Sequence, residues 1–205
     1  MTPAKLMVVA YHKPKGLITT HADELGRETV YDRLRTLLPP QLARVDWHAI
    51  GRLDADTTGL LLFTNDGALV HHATQPKTKL PKTYRVLAKG LLTDEAVAQL
   101  RAGVPLTGGL GMSGPAEVIV EGYQTATTWL TMRIAEGKNR QIRRSLLAVG
   151  SQVIRLTRTH VGGVALDLAE NAWRLLSQEE IEEGLGYRAH GGSGAPSRRG
   201  PTRRA

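Results

Sequence analysis

The sequence contains no cysteine, which excludes disulfide bridges, thiolate metal ligands and thiol nucleophiles. It also lacks any apolar run of roughly eighteen residues, the least a spanning helix needs. The opening Met1-Thr2-Pro3-Ala4-Lys5 leads into only a short apolar stretch, so the pattern of a signal peptide is missing too. A soluble, cytoplasmic protein is expected, with no membrane partner. There is no internal repeat and no heptad run. His12, His21, His48, His71, His72, His160 and His190 show no metal-ligand spacing, and the adjacent His71 and His72 cannot point the same way. No metal site is expected. Ser113, Ser145, Ser151 and Ser177 lie in no nucleophile elbow, which argues against an acyl-transfer hydrolase. Gly109-Leu110-Gly111-Met112-Ser113-Gly114 satisfies G-x-G-x-x-G, yet Pro115 and a strand-like run follow instead of a helix, so it reads as a loop.

What is present is a chain of 205 residues, 41% hydrophobic, enough for one sizeable domain or two small lobes sharing a core. A net charge of +8 and a pI near 10.0 favour a polyanionic partner. Much of that charge sits at the end. Beyond Gly186 come Arg188, Arg198, Arg199, Arg203 and Arg204 with no acid, which leaves about +3 for the body. Residues 188–205 are rich in Gly, Pro, Ser and Arg without apolar periodicity, and read as a disordered basic tail.

Before the tail, short strand-like runs alternate with helical ones, an α+β pattern with a mixed or antiparallel sheet. Strands are expected at Met7–Tyr11, Gly59–Thr64, Thr83–Ala88, Ala116–Val120, Trp129–Ile134 and Val153–Leu156. Helices are expected at Thr29–Leu38, stopped by Pro39-Pro40, and at Gly67–Ala73, Thr93–Ala102, Asn139–Val149 and Ser177–Glu183. The polar break Gln75-Pro76-Lys77-Thr78-Lys79-Leu80-Pro81-Lys82 divides the body, residues 1–187, into lobes of about 1–78 and 79–187, and ligands favour the cleft between lobes.

Three segments carry candidate chemistry. Gly51-Arg52-Leu53-Asp54-Ala55-Asp56-Thr57-Thr58 places an arginine and two acids immediately before an apolar strand, a rigid support for a carboxylate. Either acid could instead close an Asx turn or cap Thr57-Thr58. Glu136-Gly137-Lys138-Asn139-Arg140-Gln141-Ile142-Arg143-Arg144 opens a helix with concentrated positive charge and free amides, suited to phosphate, or equally a solvated basic face. Lys82-Thr83-Tyr84-Arg85 sets an aromatic ring between cations, where it could stack on a base or simply join a core.

Together with Lys13-Pro14-Lys15-Gly16-Leu17-Ile18-Thr19-Thr20, and in this order, these segments resemble the pseudouridine synthases of the branch that holds the A-type small-subunit enzyme and the B-, E- and F-type large-subunit enzymes. The resemblance runs from about Met7 to Ser177. It implies the pseudouridine-synthase α+β fold, a bent mixed sheet in two lobes flanking a catalytic cleft. It further implies that Asp54 is the catalytic carboxylate, Tyr84 the active-site tyrosine, and Arg143 the arginine paired with Asp54. Arg52 would fill the RNA stack after the target base leaves it. The chain begins almost at the Lys-Pro motif where relatives carry a small S4-type RNA-binding domain, so no S4 domain is expected. Thr74-Gln75-Pro76 stands where many relatives have His-Pro, and Ser145 where methionine is common. The missing domain and the Gln-Pro pair resemble the short E-type enzymes, which makes 23S rRNA the first expected substrate and 16S rRNA the alternative, free or as a ribosomal precursor.

Pseudouridine formation breaks C1′–N1, turns the base and rejoins it through C5. A carboxylate near C1′ could act as nucleophile or remove a sugar proton, and no cofactor is needed because nothing is oxidised. Lys13, Lys15, Lys82, Lys138, Asn139, Arg140 and Arg144 are the expected RNA-binding residues, and a monomer is expected. An RNA-binding assembly protein without chemistry is the competing reading. A carbohydrate hydrolase using Asp54 and Asp56 is a third, although acids two residues apart rarely reach the separation that paired-carboxylate catalysis needs.

Overall fold

The computed structural model describes residues 4–189. The tail expected from residue 188 therefore lies outside the described residues, apart from Arg188 and Ala189. In chain order the strands are β1 Val8–Lys13, β2 His48–Ile50, β3 Thr58–Thr64, β4 Lys82–Lys89, β5 Pro105–Leu106, β6 Gly111–Met112, β7 Glu117–Tyr123, β8 Thr127–Ile134, β9 Val153–Val161, β10 Val164–Ala165 and β11 Trp173–Leu175. The helices are α1 Val30–Leu37, α2 Pro40–Ala43, α3 Gly67–Thr74, α4 Asp94–Ala102 and α5 Gln141–Ala148, and the segment expected to be helical near Ser177 contains a π-helical turn, Glu180–Gly184.

Local chemistry accounts for the boundaries. Thr29 and Asp32 form a reciprocal capping box on α1, each side chain accepting from the other's backbone N–H at 3.1 Å. The Pro39-Pro40 stop holds, and Pro40 then serves as the first residue of α2. Thr93 caps α4 through Ala96 N–H. Strand β9 runs five residues past its expected end at Leu156 because Thr157, Arg158, His160 and Val161 pair with neighbours around a bulge at Thr159, without presenting apolar alternation.

The principal sheet has nine strands, ordered β11-β1-β3-β9-β4-β8-β7, with β2 added to β3 and β10 to β9. All ladders are antiparallel except the joint at its centre, where β3 and β9 run parallel over Thr58↔Thr157 and Gly59↔Arg158. Beyond that joint they separate, and the buried Arg158 donates Nε–H to Leu60 O at 2.8 Å, satisfying a carbonyl near the separation. Gly59, at φ +116°, lets the backbones meet, since a Cβ would strike the Arg158 backbone.

Two cores lie around the first part of the sheet. One joins Val9, Tyr11, Leu61 and Phe63 to α1 and Trp47; the other joins Val8, Ala10, Leu60 and Leu62 to Leu69, Ile181 and Leu185. A third packs Val86, Leu130 and Met132 against Val97, Leu100, Ile142 and Leu146 of α4 and α5. The expected division near residue 78 needs correction in one respect. Leu80, Val161, Val164 and Leu176 belong to the core of the first lobe, and β11 pairs with β1, so the chain after β9 returns to the lobe in which it began. Among the described residues no helix is long and apolar enough to cross a membrane.

Candidate active site

The loop ahead of β3 is fixed from beneath by Lys13. This side chain was expected at an RNA surface, but it is fully buried and its ammonium donates to the carbonyls of Pro14 (3.0 Å), Asp54 (3.0 Å), Ala55 (3.4 Å) and Thr57 (2.8 Å). The expectation failed because Lys13 continues the inward alternation of Val9 and Tyr11 on β1, and the loop folds over its tip. Burial pushes its pKa down to about 8, with Asp54 and Asp56 acting in the opposite direction. Thr19 adds a two-way clasp to Leu53, accepting from its N–H at 3.2 Å and donating to its carbonyl at 2.8 Å. A backbone bond from Thr57 N–H to Asp54 O at 3.0 Å closes the turn, which leaves the acid side chains available for other partners.

Those partners come from the segment before α5. Arg140 lies in the left-handed region at φ 49° and donates in parallel to Asp56, Nη1 to Oδ1 at 3.1 Å and Nη2 to Oδ2 at 3.0 Å. Its Nη1 is also 3.3 Å from Asp54 Oδ2. Arg143 does not take the expected place beside the Asp54 carboxylate. It donates instead to Asp56 O at 3.0 Å and Thr57 Oγ1 at 3.2 Å, and sits 3.4 Å from Asp56 Oδ1. Asp56, two positions further on, thus takes the pairing that the resemblance assigned to Asp54. Hydrogen bonding from Arg140, with the charge of Arg143, holds the Asp56 carboxyl below its ordinary range. The bond to Asp56 raises the pKa of Arg140, whereas burial lowers that of Arg143. Among the described residues, the buried Nε of Arg143 has no hydrogen-bond partner.

Strand register carries the loop's anchor across to the tyrosine. Lys13 pairs with Gly59, Gly59 with Arg158, and Arg158 with Tyr84, one row spanning β1, β3, β9 and β4. Tyr84 is partly buried and packs on the core under α5, on the same side as Val86 and Ala88. Lys82 is partly buried too, its pKa lowered by burial and by the charge of Arg158. Arg158 was not foreseen, since an arginine between threonines on a strand carries no local signal of burial.

The remaining candidates divide by availability. Arg52, Lys15 and Asn139 are exposed. Lys138 and Arg144 are substantially engaged in structure: Lys138 Nζ donates to Leu110 O at 3.2 Å and Met112 O at 2.7 Å, and Arg144 donates to Thr107 O at 2.8 Å and to Asn139 Oδ1 at 3.1 Å. These contacts fasten the β5–β6 hairpin to the start of α5. That hairpin contains the glycine-rich Gly109–Gly114 stretch, where no helix follows. Among the described residues, no group of three or more His, Cys, Asp or Glu is placed to hold a metal ion.

Comparison with known proteins bears on the family and the fold. The family described as RNA pseudouridylate synthase matches residues 7–148. Ribosomal large subunit pseudouridine synthase B of Yersinia pestis is 40% identical over 162 residues, covering 78% of this chain and 48% of that protein. Ribosomal large subunit pseudouridine synthase E of Vibrio vulnificus is 36% identical over 187 residues, covering 85% of this chain and 76% of that protein. The chain thus spans about half the length of the B-type relatives and three quarters of the E-type one. A crystal structure of a pseudouridylate synthase superposes with a TM-score of 0.77 at 32% identity, covering 87% of this chain and 74% of that one. The expected fold is therefore the observed one.

Proposed function

Because this chain belongs to the RNA pseudouridylate synthase family, we propose that it isomerises a specific uridine of ribosomal RNA to pseudouridine, with 23S rRNA as substrate. The observation that carries the reading is the fastened loop of Asp54, a carboxylate whose backbone is gripped by a buried ammonium and whose side chain meets an arginine-rich helix start. Preorganisation of this kind suits a group that must reach C1′ in one geometry.

Asp54 is the catalytic carboxylate, acting at C1′ as nucleophile or on a sugar proton while the C1′–N1 bond breaks. Tyr84 packs on the freed uracil and assists loss of the C5 proton once C5 has joined C1′. Arg143 orients the acidic loop. The target base has to leave its stack, and the exposed Arg52 fills the gap. Lys15, Lys82, Asn139 and Arg140, with the outer parts of Lys138 and Arg144, contact the RNA backbone, so binding weakens steeply with salt. The reaction is redox-neutral and no cofactor takes part. The enzyme works as a monomer in the cytoplasm, on free rRNA or a ribosomal precursor. Mapping pseudouridines in unmodified 23S and 16S rRNA after treatment tests this. One new position in 23S rRNA is expected; a position in 16S rRNA alone would refute the substrate, and no product on either RNA or on ribosomal precursors would refute the activity.

A further inference from the structure

Arg140 and Arg143 face the same acidic loop but are held unequally. Arg140 is the more exposed, 39% against 15% for the side chain of Arg143, and its charge is taken up by Asp56 with Asp54 close by. Arg143 is tied to backbone as well, through Asp56 O, and keeps one buried N–H without a partner among the described residues. Asp54 therefore stands beside an arginine that is easily drawn off, with a second, inner arginine close to its loop. Exposed ion pairs are weak enough to exchange partners, and a phosphate group is a strong bidentate partner for a guanidinium.

We propose that Asp56 is a positioning residue that competes with RNA phosphate for Arg140, so that substrate binding draws Arg140 off the acid pair while Asp56 keeps Arg143 seated against the loop of Asp54. The proposal rests on the pseudouridine-synthase reading above and adds to it a role for the second acid. Without RNA, Arg140 masks Asp54 and Asp56 together. With RNA, its charge moves to the backbone of the bound strand, and Asp54 is released for chemistry at the sugar. A carboxylate still covered by a guanidinium at 3.3 Å would be a poorer nucleophile and a poorer base.

The test is a double-mutant cycle on the full chain with Asp56→Asn, Arg140→Gln and the two combined, using a 23S rRNA transcript. Affinity and the single-turnover rate of pseudouridine formation are measured at one salt concentration. Asp56→Asn should bind the transcript about threefold more tightly, because the competitor for Arg140 is gone. It should also form product roughly tenfold more slowly, because Arg143 loses the charge of the Asp56 carboxylate and is seated only through Asp56 O and Thr57 Oγ1. In the Arg140→Gln background the tightening should vanish, and Asp56→Glu should recover most of the rate. Tightening that persists without Arg140 would mean that only bulk charge had changed, and would overturn the proposal, as would unchanged affinity and rate in Asp56→Asn. Absence of product with the wild type would instead refute the activity, while the affinity cycle would still decide the competition.

Discussion

Lys13 fastens the acidic loop from below with a fully buried ammonium, whereas Arg140, in the basic segment across from it, is a more exposed side chain whose partners are the acids themselves. The acid side is complete without RNA; its carbonyl contacts and the Thr19 clasp belong to one lobe. The basic side depends on Asp56 and on the left-handed turn at Arg140. The contrast separates two demands on such a site. A reacting carboxylate needs a fixed position, while groups that gather a flexible polyanion need partners they can give up.

Changes on the acid side should therefore damage the fold, and changes on the basic side should alter RNA handling. The largest loss is expected for Lys13→Met, which leaves the carbonyls of Asp54, Ala55 and Thr57 without their shared donor; thermal or denaturant unfolding should show destabilisation of about 4 kcal/mol. Gly59→Ala should cost about 3 kcal/mol in the same assay, by forcing apart the joint with Arg158. A smaller effect, confined to binding, is expected for Arg140→Gln. Its melting temperature should match the wild type, while the salt dependence of RNA affinity loses roughly one counterion. If Lys13→Met were as stable as the wild type, or Arg140→Gln as unstable as Gly59→Ala, the contrast would collapse.

The smallest effect lies far from both segments. Arg174 binds Glu180 at 2.6 Å and holds its carboxyl down at about 2, chiefly through that hydrogen bond. A depressed carboxylate stabilises the fold above its unfolded pKa, near 4.5, and that contribution is lost as the pH falls toward 2. The pair is about one-third exposed, so solvent screening limits it to less than about 1 kcal/mol. Glu180→Gln should lower stability slightly at pH 6 and become equal to the wild type near pH 2, as read from urea midpoints. A deficit that persisted at pH 2 would mean the loss comes from packing.

How much of this could be read in advance follows from the range of each interaction. The apolar run Gly59–Thr64 and the Thr93 cap act within a few residues, and both were legible. Motif order also pointed to the segments of Asp54 and Arg140, which the structure brings together. The pairing within that set was not legible, because Asp56 and Arg140 are 84 residues apart and nothing local favours Asp56 over Asp54 as partner. Lys13 was misread for a related reason. A lysine beside Pro14 and Lys15 looks like surface until the loop is known to close over it. The strands β2 and β11, of three residues each, are too short for periodicity to register, and exist because longer neighbours pair with them.

We propose that Asp54 performs chemistry on a supported loop and does not serve binding. Asp54→Asn tests it most directly when product and RNA affinity are measured on the same preparation. No detectable pseudouridine is expected, together with transcript affinity equal to or tighter than that of the wild type. Full conversion by the variant, or a loss of product explained entirely by lost RNA binding, would contradict it.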